Sequence, residues 1–272
     1  MRRIMVTATM MLAACTVKPA DGNATQAASQ AQPREAPQPS SQISPQISSQ
    51  ISSVTIMADD GVKIFARLYK AEKPKGLILL FHQAGSSKGE YATIAPRLNV
   101  AGYEALAIDQ RSGGGLFGEN ETARLVGKDP GYLAAQRDLQ AAVDWAKTQN
   151  LPVIIWGSSY SSSLVFPVAA ANPGVVKAVL SFSPGEYFDD KALIRTAAAK
   201  VSVPVFVTSA QDATEIKDAK AIFDAVPAAG KVRYQPKDGG VHGSSTLIAA
   251  KNPKGVEANW AAVLAFLKGV TG

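Results

Sequence analysis

Residues 152–161 read Pro-Val-Ile-Ile-Trp-Gly-Ser-Ser-Tyr-Ser. A short apolar run stops at a glycine, passes through serines and continues into a helix-like segment. A buried strand that turns sharply into a helix through small residues can hold one serine in a strained, exposed position, the geometry of a nucleophile elbow. Such a turn is tight, so the positions two before and two after the serine must be small. For Ser159 these are Gly157 and Ser161. Ser158 is excluded because Trp156 lies two before it. Ser161, with Ser159 and Ser163 around it, is a second candidate further from the strand end, where the helix has begun. The usual pattern is G-x-S-x-G, and Ser161 stands in place of the final glycine.

The rest of the chain alternates strand and helix signals. Residues 54–57 and 62–69 flank Asp59-Asp60-Gly61, a turn signal, and predict an opening hairpin. Residues 76–82 form an apolar run suited to a strand buried on both faces. A helix is predicted over 90–101, ending at Gly102, and a strand over 103–109. Helical apolar spacing covers 133–148 through Leu139, Val143 and Trp145. Strands follow at 153–156, 176–182, 204–209 and 231–235. Helices follow at the elbow, at 214–226 and at 258–267. Repeated strand–helix units mean a mostly parallel central sheet with helices on both faces, an α/β architecture. In such sheets the chemistry lies beyond the carboxyl ends of the strands.

A serine hydroxyl is a weak nucleophile and needs a base. The chain has two histidines, His82 and His242. His242 lies in Asp238-Gly239-Gly240-Val241-His242-Gly243, a glycine-rich loop after the last strand that can set an imidazole in a cleft. Asp212, in Ser209-Ala210-Gln211-Asp212, follows the 204–209 strand and can accept the His242 Nδ1–H, fixing its tautomer. An aspartate there is also a natural helix N-cap, a role Thr214 can share. Asp218 falls inside the predicted helix. Phe81-His82-Gln83-Ala84-Gly85-Ser86-Ser87 follows the first central strand, where an oxyanion-hole loop belongs. The expected donors are the backbone amides of Tyr160 and Ala84, with Gln83 as the alternative to Ala84; such donors are typically worth about 3 kcal/mol each. His82 is expected to brace this loop.

Composition frames these readings. The 272 residues allow one α/β domain of 200-odd residues plus a further segment. The 46% apolar and 18% charged fractions fit a globular chain with a sizeable core. Net charge is +6, without a basic run interleaved with aromatics, which argues against nucleic acid as a partner. Two dispersed histidines and a single cysteine give no metal-ligand cluster, and no cofactor is implied. At the N-terminus, Arg2 and Arg3 precede an apolar stretch at 4–12, too short to span a bilayer, in the pattern of a signal peptide. It ends in Leu12-Ala13-Ala14-Cys15, which resembles the lipobox of bacterial lipoproteins. That resemblance implies cleavage after residue 14, acylation of Cys15 and a membrane anchor. Thr16 follows in place of the aspartate associated with inner-membrane retention, pointing to the outer membrane, periplasmic side. Residues 15–53 are rich in Ser, Gln, Ala and Pro, with Gln-Ile-Ser repeated at 42–44, 46–48 and 50–52, and read as a disordered tether. The folded domain is expected over 54–272.

Residues 54–272 resemble the α/β-hydrolase superfamily, nearest its dienelactone-hydrolase-like branch of small esterases. The resemblance rests on Leu79-Leu80-Phe81-His82-Gln83-Ala84-Gly85, similar to the H-G-x-G-like loop with Gln83 in place of the common glycine. It rests also on Ile108-Asp109-Gln110-Arg111-Ser112-Gly113-Gly114, similar to the D-x-R-G-x-G segment, and on the elbow at 157–161. Asp212 and His242 match the acid and base positions, and the chain order Ser159, Asp212, His242 is the one found in that superfamily. Dienelactone hydrolases use a cysteine nucleophile, so their substrate is not implied. The short segment between Phe182 and Val203 leaves no room for the large cap found in lipases and many epoxide hydrolases. Residues 113–131 and 183–188 are expected at the rims of an open pocket. The expectation is a serine hydrolase, a carboxylesterase for small or medium esters. Alternatives are a peptidase or thioesterase with the same triad, or a non-catalytic envelope binding protein. The oligomeric state is not legible.

Overall fold

The computed structural model describes residues 50–271. The apolar stretch at 4–12, Cys15 and the repeat stretch up to residue 49 lie outside the described residues. Eight strands form one sheet in the order β1-β2-β4-β3-β5-β6-β7-β8. They are β1 (Ile51–Met57), β2 (Lys63–Tyr69), β3 (Leu77–Phe81), β4 (Glu104–Ile108), β5 (Val153–Ser158), β6 (Val176–Phe182), β7 (Val205–Thr208) and β8 (Val232–Tyr234). β1 and β2 form an antiparallel hairpin, β2 runs antiparallel to β4, and β4, β3, β5, β6, β7 and β8 are mutually parallel.

Side-chain alternation explains why β3 is wholly apolar. Leu77, Leu79 and Phe81 enter one hydrophobic cluster, while Ile78 and Leu80 enter the other. The first cluster includes residues of α3 (Gln136–Ala146), α4 (Tyr160–Ala171), α5 (Leu193–Ala198) and α6 (Ala213–Ala225). The second includes residues of α1 (Ile94–Val100) and α7 (Val256–Thr271). α4 shows no amphipathic stripe because it is buried almost all round, as expected of a helix covering the middle of a sheet. The last turn of α7 is held at the start of β4, where the Tyr103 hydroxyl donates to the Leu267 carbonyl over 3.0 Å.

The folded region begins earlier than composition suggests. β1 pairs with β2 from Ile51↔Tyr69 to Met57↔Lys63, so residues 51–53 belong to the sheet and not to a tether. A backbone ladder holds them, and low-complexity composition does not report ladders. The helix expected over 90–101 is divided into a 3-10 turn, Lys88–Tyr91, and α1. α2 (Glu121–Val126) interrupts the 113–131 connection, capped by the Asn120 side chain and by Gly127 at φ 74°.

Arg111 of the D-x-R-G-x-G-like segment fastens the loop after β4. Its guanidinium reaches Asp60 at 2.5 and 3.0 Å and Asp138 at 2.9 Å, and its own amide donates to Asp138 at 2.7 Å. The Arg111 hydrogen bond holds the Asp60 carboxyl down at about 2. Both Arg111 and Asp138 are buried. Removing Asp138 leaves the Arg111 amide and Nε–H buried without their acceptor, while Asp60 still pairs with the guanidinium. Asp138→Ala is expected to lower the unfolding free energy by roughly 3 kcal/mol, read by urea titration.

Candidate active site

β5 ends by turning into α4 within one residue. Ser159 takes φ 60°, ψ −127°, a backbone conformation that L side chains rarely adopt. The turn is tight enough that a Cβ on Gly157 would collide with the Ser161 carbonyl. Ser161 is there for more than its size. Its hydroxyl accepts the Ser158 amide at 2.9 Å and lies 2.7 Å from the Phe81 carbonyl, to which it donates. That bond ties the elbow to the end of β3, which a glycine could not do. It also leaves the Ser161 hydroxyl fully buried and engaged, unlike an available nucleophile.

The His242 loop and the Ser159 turn meet beside Gly243. At φ +62°, Gly243 presses on the elbow: a Cβ there would collide with Ser158 Oγ and lie 3.6 Å from the Ser159 nitrogen. No hydrogen bond joins the Ser159 hydroxyl to His242 among the described residues. Such bonds are often long before substrate binds.

The carboxylate that meets His242 is Glu215, not Asp212. His242 Nδ1 lies 2.8 Å from Glu215 Oε1. Asp212 is exposed and caps α6, accepting the amides of Thr214 and Glu215 at 2.9 and 3.1 Å. The Glu215 hydrogen bond raises the His242 pKa above its ordinary value, against the opposing effect of burial. Burial pushes the Glu215 carboxyl up, but hydrogen bonds from His242 and Ser183 outweigh it and hold the group below its usual range. Ser183, at φ 59° just past β6, also accepts the Gly243 amide at 3.0 Å. One hydroxyl thereby links the acid to the histidine loop.

Asp212-Ala213-Thr214-Glu215 is a D-x-x-E helix start, in which the glutamate ordinarily folds back on the cap residue's own amide. Here Glu215 instead accepts the Ala210 amide at 3.2 Å and turns its other oxygen to the imidazole. Local sequence explains the pair completely without His242, which is why Glu215 escapes notice. A weak signal exists: the first turn of a helix leaving a strand end faces the same cleft as the strand end.

Within the loop after β3, the Gln83 amide is engaged by Glu90 Oε2 at 2.8 Å. The amides of Ala84 and Tyr160 have no hydrogen-bond partner among the described residues. His82 is buried, and burial lowers its pKa to about 4, so the ring is neutral. Its Nδ1–H donates to the Gln83 carbonyl at 2.8 Å and its Nε2 accepts the Gln110 amide at 2.9 Å. His82 therefore braces the loop and cannot serve as base. At the rims, the Tyr132 ring lies 4.6 Å from that of Tyr160 and the Tyr187 hydroxyl donates to the Ser183 carbonyl at 2.7 Å. Beside Gly85 and Tyr132 runs an open groove of about 470 Å³ that also touches Arg124 and Lys128.

Residues 72–211 match the family described as serine aminopeptidase S33, a branch of the α/β-hydrolases. The chain belongs to this family. The α/β-hydrolase fold accounts for the sheet order and for the placement of Ser159 and His242 beyond the carboxyl ends of β5 and β8. Over 128 residues the chain is 30% identical to the human monoglyceride lipase, covering 46% of this chain and 40% of that protein. The chain thus spans well under half the length of this curated relative. Among solved structures, it superposes on a dienelactone hydrolase from Anabaena variabilis with a TM-score of 0.63 at 21% identity, over 82% of this chain and all of the other. It superposes on an esterase from Pyrococcus furiosus with a TM-score of 0.62 at 18% identity, over 84% and 95% of the two chains.

The two carboxylates separate by experiment. Asp212→Ala is expected to cost about 1 kcal/mol through loss of the cap, with hydrolytic turnover kept. Glu215→Gln is expected to keep stability near the parent's and to lower kcat by on the order of 1,000-fold or more, since the imidazole loses its orienting anion. Thermal melts and ester turnover on both variants check this.

Proposed function

We propose that the protein is a serine hydrolase, a carboxylesterase acting on small or medium esters. The observation that carries this reading is the left-handed backbone at Ser159, abutting the loop that bears a carboxylate-bound histidine. In the proposed reaction the Ser159 hydroxyl attacks the ester carbonyl carbon and passes its proton to His242 Nε2. Glu215 accepts the Nδ1–H and stabilises the imidazolium. The Ala84 and Tyr160 amides hold the tetrahedral oxyanion. Collapse breaks the ester bond, and the departing alkoxide takes the proton from His242. Water, deprotonated by the same histidine, then attacks the acyl-enzyme and frees Ser159.

Two features bear on the substrate. The connection from Ser183 to Pro204 holds a single six-residue helix, α5, among the described residues, so nothing of cap size arches over Ser159 there. The names of the relatives, monoglyceride lipase and esterases, agree with ester chemistry. The family description instead favours an aminopeptidase, so aminoacyl arylamides belong in the same substrate screen. For its location, we propose a lipid anchor at Cys15 in a bacterial cell envelope, on the outer membrane facing the periplasm. Detergent partitioning of parent and Cys15→Ala protein tests that anchor.

The catalytic reading predicts covalent labelling by a fluorophosphonate probe and turnover of nitrophenyl esters, both abolished in Ser159→Ala. A folded parent that resists the probe refutes it and leaves a binding protein. Because the reacting form of His242 is neutral and its pKa is raised by Glu215, kcat/KM is expected to fall on acidification with a midpoint above the ordinary histidine value of about 6.5. A pH–rate profile reads that midpoint.

A further inference from the structure

Beneath the elbow sits a carboxylate that the proposed reaction does not use. Glu90 is 1% exposed, and no lysine or arginine pairs with it among the described residues. A buried, unpaired carboxylate is costly unless hydrogen bonds compensate it. Glu90 has two strong ones, from different segments. Oε2 accepts the Gln83 amide at 2.8 Å and Oε1 accepts the Ser158 hydroxyl at 2.7 Å. Ser158 Oγ in turn accepts the amide of Ser244 at 2.8 Å, two residues past His242. The Ser244 hydroxyl accepts the Trp156 indole N–H at 2.9 Å, closing the circuit on β5.

We propose that Glu90 is a positioning residue that holds the oxyanion loop, the nucleophile turn and the histidine loop in one mutual register. This rests on the reading of Ser159, His242 and the Ala84 amide given above. The Gln83 amide and the Ser158 hydroxyl need an acceptor on each oxygen, with the Ser86 hydroxyl a further donor beside them, so the ionised carboxylate satisfies both sides and an amide satisfies one. Holding the Gln83 amide directs its carbonyl to His82 and leaves the next amide, that of Ala84, unclaimed. Holding the Ser158 hydrogen turns that oxygen's lone pairs toward Ser244, which fixes the loop on which His242 rides.

The carboxylate also acts on His242 through space. Burial lifts Glu90 to about 7, and its charge contributes to the raised pKa of His242. The other titratable groups around it, Tyr91 and Tyr160, are kept neutral by burial, as is His82. His242 is therefore the group that responds to the charge on Glu90.

The test compares full-length Glu90→Gln, Ser158→Ala and Ser159→Ala with the parent, by ester kinetics across pH and by counting active sites with a fluorophosphonate. Glu90→Gln is expected to lower kcat per labelled site by about 10- to 100-fold, the scale of a small misplacement of reacting groups, with KM within about twofold. Its acid limb is expected at lower pH and shallower, because one ionisation and one negative charge are gone. Ser158→Ala breaks the link to Ser244 and takes from Glu90 a hydrogen bond that favours its ionised form, so kcat is expected to fall and the Glu90 ionisation to move to higher pH. Parent kcat per labelled site together with an unmoved acid limb in Glu90→Gln overturns the proposal. If Glu90→Gln does not fold, Ser158→Ala decides, and a parental kcat overturns it. Labelling that persists in Ser159→Ala refutes the underlying nucleophile instead.

Discussion

The site depends on one residue being held where the backbone resists going. A non-glycine residue at φ 60°, ψ −127° costs of order 1–3 kcal/mol, and it persists only if its surroundings over-determine it. Around Ser159 they do. Its amide donates to the Phe182 carbonyl at 2.9 Å, and its carbonyl accepts the Ser162 amide at 2.9 Å and the Ser162 hydroxyl at 2.5 Å. Two positions lack room for a side chain, Gly157 below the turn and Gly243 beside it. The serine-rich run 158–163 is therefore a set of brackets around the strained Ser159. Ser158 faces the histidine loop, Ser161 faces β3, Ser162 closes the turn and Ser163 donates to the Gly185 carbonyl at 2.7 Å.

Much of this was legible from residue patterns alone. Strong apolar runs between turn signals locate strands well, and β6 occupies the very residues its pattern predicts, Val176–Phe182. The elbow was legible because steric demand leaves a mark: small residues at fixed spacing. What escaped reading depends on contacts distant in sequence. Glu215 looked like an ordinary first-turn glutamate because its partner is 27 residues away. Ser161 looked like an imperfect glycine because its acceptor, the Phe81 carbonyl, lies 80 residues upstream. The short helices α2 and α5 have too few residues to show a helical period. Ile51 hid inside a repeat because an edge strand needs only backbone pairing and few buried side chains.

Charge is arranged in two layers around the cleft. The outer layer, Arg111 with Asp60 and Asp138, fastens loops to one another and carries no chemistry in the proposed reaction. The inner layer, Glu90, Glu215 and His242, has no lysine or arginine partner among the described residues and relies on hydroxyls and amides for its compensation. This leaves the protonation of the inner groups responsive to each other, whereas Arg111 holds the Asp60 carboxyl down at about 2. A single fold thus keeps its rigid ion pairs apart from its titrating ones.

The direction in which the chain enters the sheet has a mechanical consequence. β3 to β8 point their carboxyl ends at Ser159, and the antiparallel hairpin sets the start of β1, Ile51, at the opposite pole. α7 finishes at that same pole, beside Tyr103, Pro152 and Pro204 where strands begin. Both ends of the described chain therefore leave the domain from its back. A load, a surface or a fused domain attached at either end pulls on the floor of the sheet and leaves the mouth of the cleft facing away from the attachment.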